Sequence, residues 1–331
     1  MNKKFLYLAL PAFMLAACSN DEVTKTTNET LAQIRLSAQM EATLTRAADN
    51  VQEESINPAA TPGVYVYKAG ETSSTVYKYE NNEVTAVSGE GGLTTSRMYY
   101  PQDKGAVDVY VYAPREDTSP SLTAMPITVA TDQSTVAGYL ASDFIYGEAS
   151  NQAYPTGTPS AIEVTLKHAL CKITLTINNG AGSTISDGDV KEVILGHEIE
   201  GSGTPDRSKQ VWLKATIDLT KSELSQSVTT ASSSSDPEDP KGTISFADTD
   251  DNAFKKAVSA VIPPQTATDI PLRVKIGSAD YNATLSSPDG GFTAGNEYKY
   301  TVNVDAKTLT VKINSIADWG SGSSVDPISV Q

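Results

Sequence analysis

Cysteine and histidine are nearly missing from this chain, which holds two of each: Cys18 and Cys171, His168 and His197. Cys18 ends an N-terminal leader, so Cys171 is the one thiol left to the body of the protein. No internal disulfide can form, and the fold must stand on core packing. Basic charge is short as well. Twenty-five Lys and Arg face 40 Asp and Glu, a formal net charge of -15. Such a surface repels nucleic acid and anionic lipid headgroups, and its acidity reads as solubility. The apolar run at residues 5–17 is too short to span a bilayer as a stable anchor, and no later run is long enough. Helical periodicity is almost absent, with a weak pattern only at residues 252–259.

The usual chemical constellations are lacking too. His168 and Cys171 could suggest a base and a nucleophile. Three positions along one strand would put them about 10 Å apart and on opposite faces. A structural histidine and a buried, apolar Cys171 are expected instead. Asp248-Thr249-Asp250-Asp251-Asn252 begins like a calcium loop, but Ala253 stands where glycine is needed and Ser259 where the acid belongs. An acidic turn is the better reading. Gly201-Ser202-Gly203 and residues 89–92 are turn glycines, since neither joins a strand to a helix as a phosphate cradle must. No cluster of Trp, Asp and Glu marks a glycosidase. Trp212, out of phase with its neighbours, covers a sheet face, meets another domain or stacks on sugar. No enzyme activity, metal or cofactor is expected.

What the chain does have begins at its start. Lys3 and Lys4 precede an apolar core, and Leu15-Ala16-Ala17-Cys18 closes it with small residues before a cysteine. This is the lipobox of a bacterial lipoprotein signal peptide. It predicts cleavage before Cys18 and acylation there, at roughly 0.8 kcal/mol of membrane affinity per buried methylene. Ser19 is not an aspartate, so inner-membrane retention is not indicated. The acidic pair Asp21-Glu22 resembles the surface-export signal of Bacteroidales lipoproteins.

Nearly every other patterned segment has period two. Val64 and Val66 alternate with Tyr65 and Tyr67; Val107, Val109 and Val111 alternate with Asp108, Tyr110 and Tyr112. Residues 162–167, 171–177, 211–219, 270–276, 298–304 and 309–313 continue the alternation. The prediction is an all-β protein with one buried face per strand, in sandwiches. Residues 80–83, Glu-Asn-Asn-Glu, read as a hairpin turn. A break near residues 178–188 divides two domains, and the Ser-rich stretch 225–241 reads as a long loop inside the second. The polar stretch 47–61 has too few apolar residues to build a core.

The longest clean strand is Ile34, Leu36, Ala38, Met40, Ala42 and Leu44, with polar residues between them. Thr45-Arg46-Ala47-Ala48 follows at once, an exposed basic point of the kind proteases nick. Four of the strand's side chains are large and apolar, so its loss would cost about 6–12 kcal/mol. It would also leave a groove lined by unpaired backbone groups, which a strand from another chain could fill. The plainer alternative is a permanent strand followed by an ordinary surface arginine.

In order along the chain, several pieces resemble the fimbrillin-like family of Bacteroidales, the subunits of type V pili. They are the lipobox, strand and Thr45-Arg46-Ala47; Met98-Tyr99-Tyr100-Pro101 with residues 107–114; Ser142-Asp143-Phe144-Ile145-Tyr146-Gly147; residues 164–173; and residues 298–302 with Ile316-Ala317-Asp318-Trp319-Gly320. The resemblance implies two transthyretin-like β-sandwich domains in tandem. The chain then divides into a signal peptide at 1–17, a propeptide with the removable strand at 18–46, and domains at 47–182 and 183–331. It implies an outer-membrane lipoprotein precursor and an arginine-specific protease cutting between Arg46 and Ala47. Mature protein in a surface fimbria would polymerise with other fimbrial subunits by strand exchange. Leu309, Val311, Ile313, Val325, Ile328 and Val330 are the candidate donor residues, with Pro327 interrupting them. Adhesion or biofilm contact is the implied role. A different class stays open: a surface lipoprotein that never polymerises and whose β-sandwich captures glycans or host ligands.

Overall fold

A computed structural model describes residues 31–41, 60–72, 77–86, 92–95, 97–186, 188–197, 209–221, 228–230, 241–248, 257–266, 269–287, 291–305 and 308–319. In the first half the strands are β1 (Leu36–Met40), β2 (Gly63–Lys68), β3 (Lys78–Ala86), β4 (Gly92–Thr95), β5 (Val107–Ala113), β6 (Met125–Thr128), β7 (Ile145–Gln152) and β8 (Ile162–His168). Then follow β9 (Cys171–Asn179), β10 (Val190–Leu195), β11 (Val211–Trp212), β12 (Lys214–Ile217), β13 (Val228–Thr230), β14 (Lys241–Gly242), β15 (Ile244–Ser245) and β16 (Ala247–Asp248). The chain ends on β17 (Ala257–Ile262), β18 (Asp269–Ile276), β19 (Ala279–Ser286), β20 (Asn296–Val304) and β21 (Leu309–Asp318).

The protein is all-β, as the period-two patterning requires. Pairing closes a ring in the order β1-β4-β3-β2-β5-β7-β8. Strands β3 and β8 pair in both of its sheets, so the two layers join at their edges. Beyond the ring lie a five-stranded sheet, β16-β17-β9-β20-β21, and a four-stranded sheet, β15-β10-β18-β19. Strand β6 leaves the first half to pair with β12.

The central strands of the ring are buried on both faces, not one. In β2 and β5 the valines Val64, Val66, Val107, Val109 and Val111 fill the ring. The alternate Tyr65, Tyr67, Tyr110 and Tyr112 belong to a second core shared with the two open sheets. The reason is chemical. Branched aliphatics suit a closed interior, whereas tyrosine can bury its ring and still place a hydroxyl at the margin. Accordingly Tyr65 donates to the Pro120 carbonyl at 2.8 Å and Tyr67 donates to Glu80 Oε1 at 3.0 Å. Burial pushes both phenols above their ordinary range.

Two local expectations are corrected. Residues 80–83 are no hairpin turn but the middle of β3. Asn81 takes a left-handed φ of 53° there, and the register with β2 shifts between Val64 and Val66. Asn-Asn is a turn signal because asparagine tolerates that conformation, and a β-bulge uses the same property. The helix lies elsewhere, at α1 (Val136–Ser142), where the Thr135 side chain accepts from the Gly138 N–H at 3.1 Å as N-cap. Residues 257–259, expected to be weakly helical, open strand β17. Finally, β9 pairs in parallel with β20 and antiparallel with β17. Ala169 and Leu170 join β8 of the ring to β9 of the five-stranded sheet.

Candidate functional site

Strand β1 is the feature the sequence singled out. It is inserted between two strands of opposite sense. Leu36 and Ser37 pair antiparallel with Leu93 and Gly92 of β4. On its other edge the five residues from Leu36 to Met40 pair in parallel with Ile162 to Leu166 of β8. Flanking hydrogen bonds extend the seam: the Ile34 N–H donates to the Met98 carbonyl at 2.9 Å, and the Glu41 N–H donates to the Leu166 carbonyl at 2.7 Å. Ile34, Leu36, Ala38 and Met40 are all buried in the ring core, while Arg35, Gln39 and Glu41 face outward. Side-chain alternation thus reads directly onto the two faces. Ala42, Leu44, Arg46, Ala47 and Cys18 lie outside the described residues, as do Val325, Ile328 and Val330.

Of the candidate donor residues, Leu309, Val311 and Ile313 stand in β21. That strand is an edge of the five-stranded sheet and pairs with β20 from Val304↔Leu309 to Asn296↔Asp318. All three pack against the second core while remaining partly exposed. Among the described residues no strand pairing brings them near β1.

Trp319 follows β21 directly and stacks on His168, with centroids 3.6 Å apart and an 8° interplanar angle. His168 Nδ1 lies 2.8 Å from Asp143 Oδ1, and both residues are buried. A third partner is Lys172, 5.7 Å above the Trp319 ring and 3.8 Å from Glu297 Oε1. The sequence put His168 and Cys171 on one strand, and this is corrected: His168 ends β8 and Cys171 begins β9. Cys171 is fully buried, and desolvation pushes its thiol well above the ordinary range, so no thiolate is on offer. Among the described residues no group of His, Cys, Asp and Glu could hold a metal ion. Asp248 is in β16, paired with Val258, and residues 249–256 lie outside the described set. Trp212 is partly buried with the Lys241 ammonium 4.6 Å above its ring.

Sequence reasoning missed a cavity of about 710 Å³. Tyr77, Tyr79, Tyr99 and Tyr100 line it, with Leu31 on the side of the N-terminal segment. Tyr77 donates to the Tyr99 carbonyl at 2.7 Å, and the Tyr99 N–H donates to the Tyr79 hydroxyl at 3.0 Å. The Tyr77 and Tyr79 rings meet edge to face at 5.8 Å. Burial pushes the Tyr77 and Tyr100 phenols up. Lys68 and Asp103 form an ion pair at the rim. The tyrosines stand in two separate segments, so only the signal of four aromatic residues at 77, 79, 99 and 100 was available beforehand.

A fimbrillin-like family profile matches residues 45–319, and the chain belongs to that family. Among solved structures it is similar to a protein from Bacteroides ovatus ATCC 8483 assigned to cell adhesion, at 16% identity and a TM-score of 0.62 over 87% of this chain and 98% of that one. A counterpart from Bacteroides uniformis ATCC 8492 gives 15% identity and a TM-score of 0.59 over 87% of this chain and 99% of that one. A fimbrial assembly protein from Parabacteroides distasonis ATCC 8503 gives 12% and 0.50 over 88% of this chain and 98% of that one. At such identity these likenesses speak for a shared fold. No curated protein matches the sequence.

Proposed function

We propose that this chain is a structural subunit of a surface fimbria, assembled by protease-triggered strand exchange, and not an enzyme. The observation that carries the reading is β1. It is a core strand, buried through Ile34, Leu36, Ala38 and Met40, and it stands a few residues ahead of Arg46. Family membership supports the fimbrial setting. In this reading the precursor is exported, lipidated at Cys18 and held at the outer membrane. An arginine-specific protease cuts between Arg46 and Ala47, and β1 leaves. The backbone of β8 from Ile162 to Leu166, and of β4 at Gly92 and Leu93, then lacks a partner. Exposed strand edges of this kind recruit another strand.

The donor comes from the C-terminal region of another fimbrial subunit. Val325, Ile328 and Val330 are preferred, because lending Leu309, Val311 and Ile313 would break the pairing of β21 with β20. Two β-sandwich domains in tandem, the closed ring and the sheets that follow β9, give each subunit one acceptor and one donor end. Adhesion or biofilm contact is the role.

Arg46→Ala tests the processing site. The variant should remain a lipidated monomer starting at Cys18, whereas the unaltered protein sheared from cells starts at Ala47 and runs as a heat-sensitive ladder. Normal ladders from the variant would remove Arg46 from the scheme.

A further inference from the structure

The cavity takes its aromatic wall and polar rim from residues 68–103, outside the segment that cleavage after Arg46 removes, although Leu31 of that segment also lines it, and it is built like a ligand site. Its volume of about 710 Å³ is within the roughly 300–1,000 Å³ of small-molecule pockets. Its aromatic wall is fixed in advance. The hydroxyls of Tyr77 and Tyr79 are both engaged with the Tyr99 backbone, so those side chains offer ring surface in a set orientation. Tyr100 is held edge to face by Tyr154 at 5.4 Å. Rings locked before binding lose little entropy when a ligand arrives.

The rest of the lining is polar. Glu71, Gln102 and Asp103 supply acceptors, and Lys68 and Gln102 supply donors. The Lys68 and Asp103 side chains pair with each other at 41% and 56% exposure, and an ammonium with three donors and a carboxylate with several acceptor sites can each also meet a ligand hydroxyl. A wall of flat aromatic surface under a rim of mixed donors and acceptors matches one ligand chemistry well. A pyranose presents an apolar C–H face for stacking and a girdle of hydroxyls for hydrogen bonds. A lipid tail would leave the rim charges unpaired. Two carboxylates against one ammonium disfavour an acidic ligand.

We propose that this cavity binds a neutral saccharide, with Tyr99 and its neighbours as the stacking platform and Lys68 and Asp103 as hydroxyl partners. The proposal deepens the adhesive reading above and rests on it for its setting, since it gives adhesion a ligand class.

The test is titration of the purified full-length chain with lactose, N-acetyllactosamine, mannotriose and sialyllactose, read by saturation-transfer NMR and calorimetry. At least one neutral sugar should bind, with sialyllactose at least tenfold weaker. Tyr99→Ala and Asp103→Asn should each lower affinity at least tenfold, and Trp212→Ala should not. Asp103 is exposed, so its variant keeps the fold whatever Tyr99→Ala does. Saturation by no neutral sugar, or binding that survives both cavity variants, overturns the proposal, as does preference for sialyllactose. Binding is read on unassembled protein. A failed titration beside intact fimbrial ladders therefore sinks the cavity alone, and sugar binding by a chain that never forms ladders sinks only the polymerisation.

Discussion

Glu297 shows how one side chain ties a junction together. Its carboxylate accepts from Thr174 Oγ1 at 2.8 Å and pairs with Lys299 Nζ at 3.1 Å and Lys172 Nζ at 3.8 Å. Burial alone would raise its pKa. The two ammonium groups and the hydrogen bonds from Thr174 and Lys299 outweigh that, and the net shift is downward. A carboxyl lowered on folding contributes stability above its unfolded pKa of about 4.3, and that contribution drains as pH falls through the folded value. Glu297→Gln should therefore cost about 1–3 kcal/mol at pH 7. The gap to the unaltered protein should shrink below pH of about 4. Urea midpoints across pH 3–8 check both statements, and a constant gap at every pH would show that packing, not charge, is what the residue provides. The neighbouring stack of Trp319 on His168 has the same effect on the chain: it fastens the residue that follows β21 to the end of β8.

At the scale of elements, the bulge in β3 is the clearest case of a local residue setting a non-local shape. Asn81 Oδ1 accepts from the Tyr112 hydroxyl at 2.6 Å, and its amide donates to the carbonyls of Glu116, at 2.6 Å, and Thr118. The side chain thus pins the 112–118 segment across the ring while its own backbone adopts φ of 53°. Asn81→Ala loses those bonds and leaves the left-handed conformation to a residue without the polar side chain that lets asparagine tolerate it, at a joint cost of about 2–4 kcal/mol. Asn81→Gly relieves the backbone part and should lie about 1 kcal/mol nearer to the unaltered protein. Equal urea midpoints for the two variants would mean that the conformation carries no strain. The same element marks the limit of what was legible. Alternation marks the residues on either side of 80–83 as extended, because period two is a property of the strand itself. It does not distinguish a bulge from a turn, since both use the same asparagine geometry. Thr135 and the short α1 escaped notice because seven residues give too few repeats for a helical period.

For the whole molecule, what the sequence conceals is partnership. That β1 is buried followed from Ile34, Leu36, Ala38 and Met40. That it runs parallel to β8 and antiparallel to β4 did not, because pairing between positions 36 and 162 leaves no local trace. Nor did the cavity, whose walls come from residues 31, 68, 71, 77, 79 and 99–103. Knowing the partners makes the assembly scheme testable without cells. Once cut after Arg46, the chain's slot should accept any strand with apolar residues at alternate positions and free edges for β4 and β8. A synthetic peptide spanning residues 33–44 has both, and it carries the native register. Ile34, Leu36 and Met40 alone would bury about 5–9 kcal/mol worth of side chain. The ordering of a free peptide offsets much of this. Added in excess to freshly cut protein, the peptide should occupy the slot and suppress the heat-sensitive ladder, leaving monomer on unheated gels. A peptide with the same composition and its apolar residues shifted by one position places them on the solvent face and should leave the ladder intact. If both peptides suppress assembly, the block is unspecific; if neither does, the slot vacated by β1 is not where subunits join.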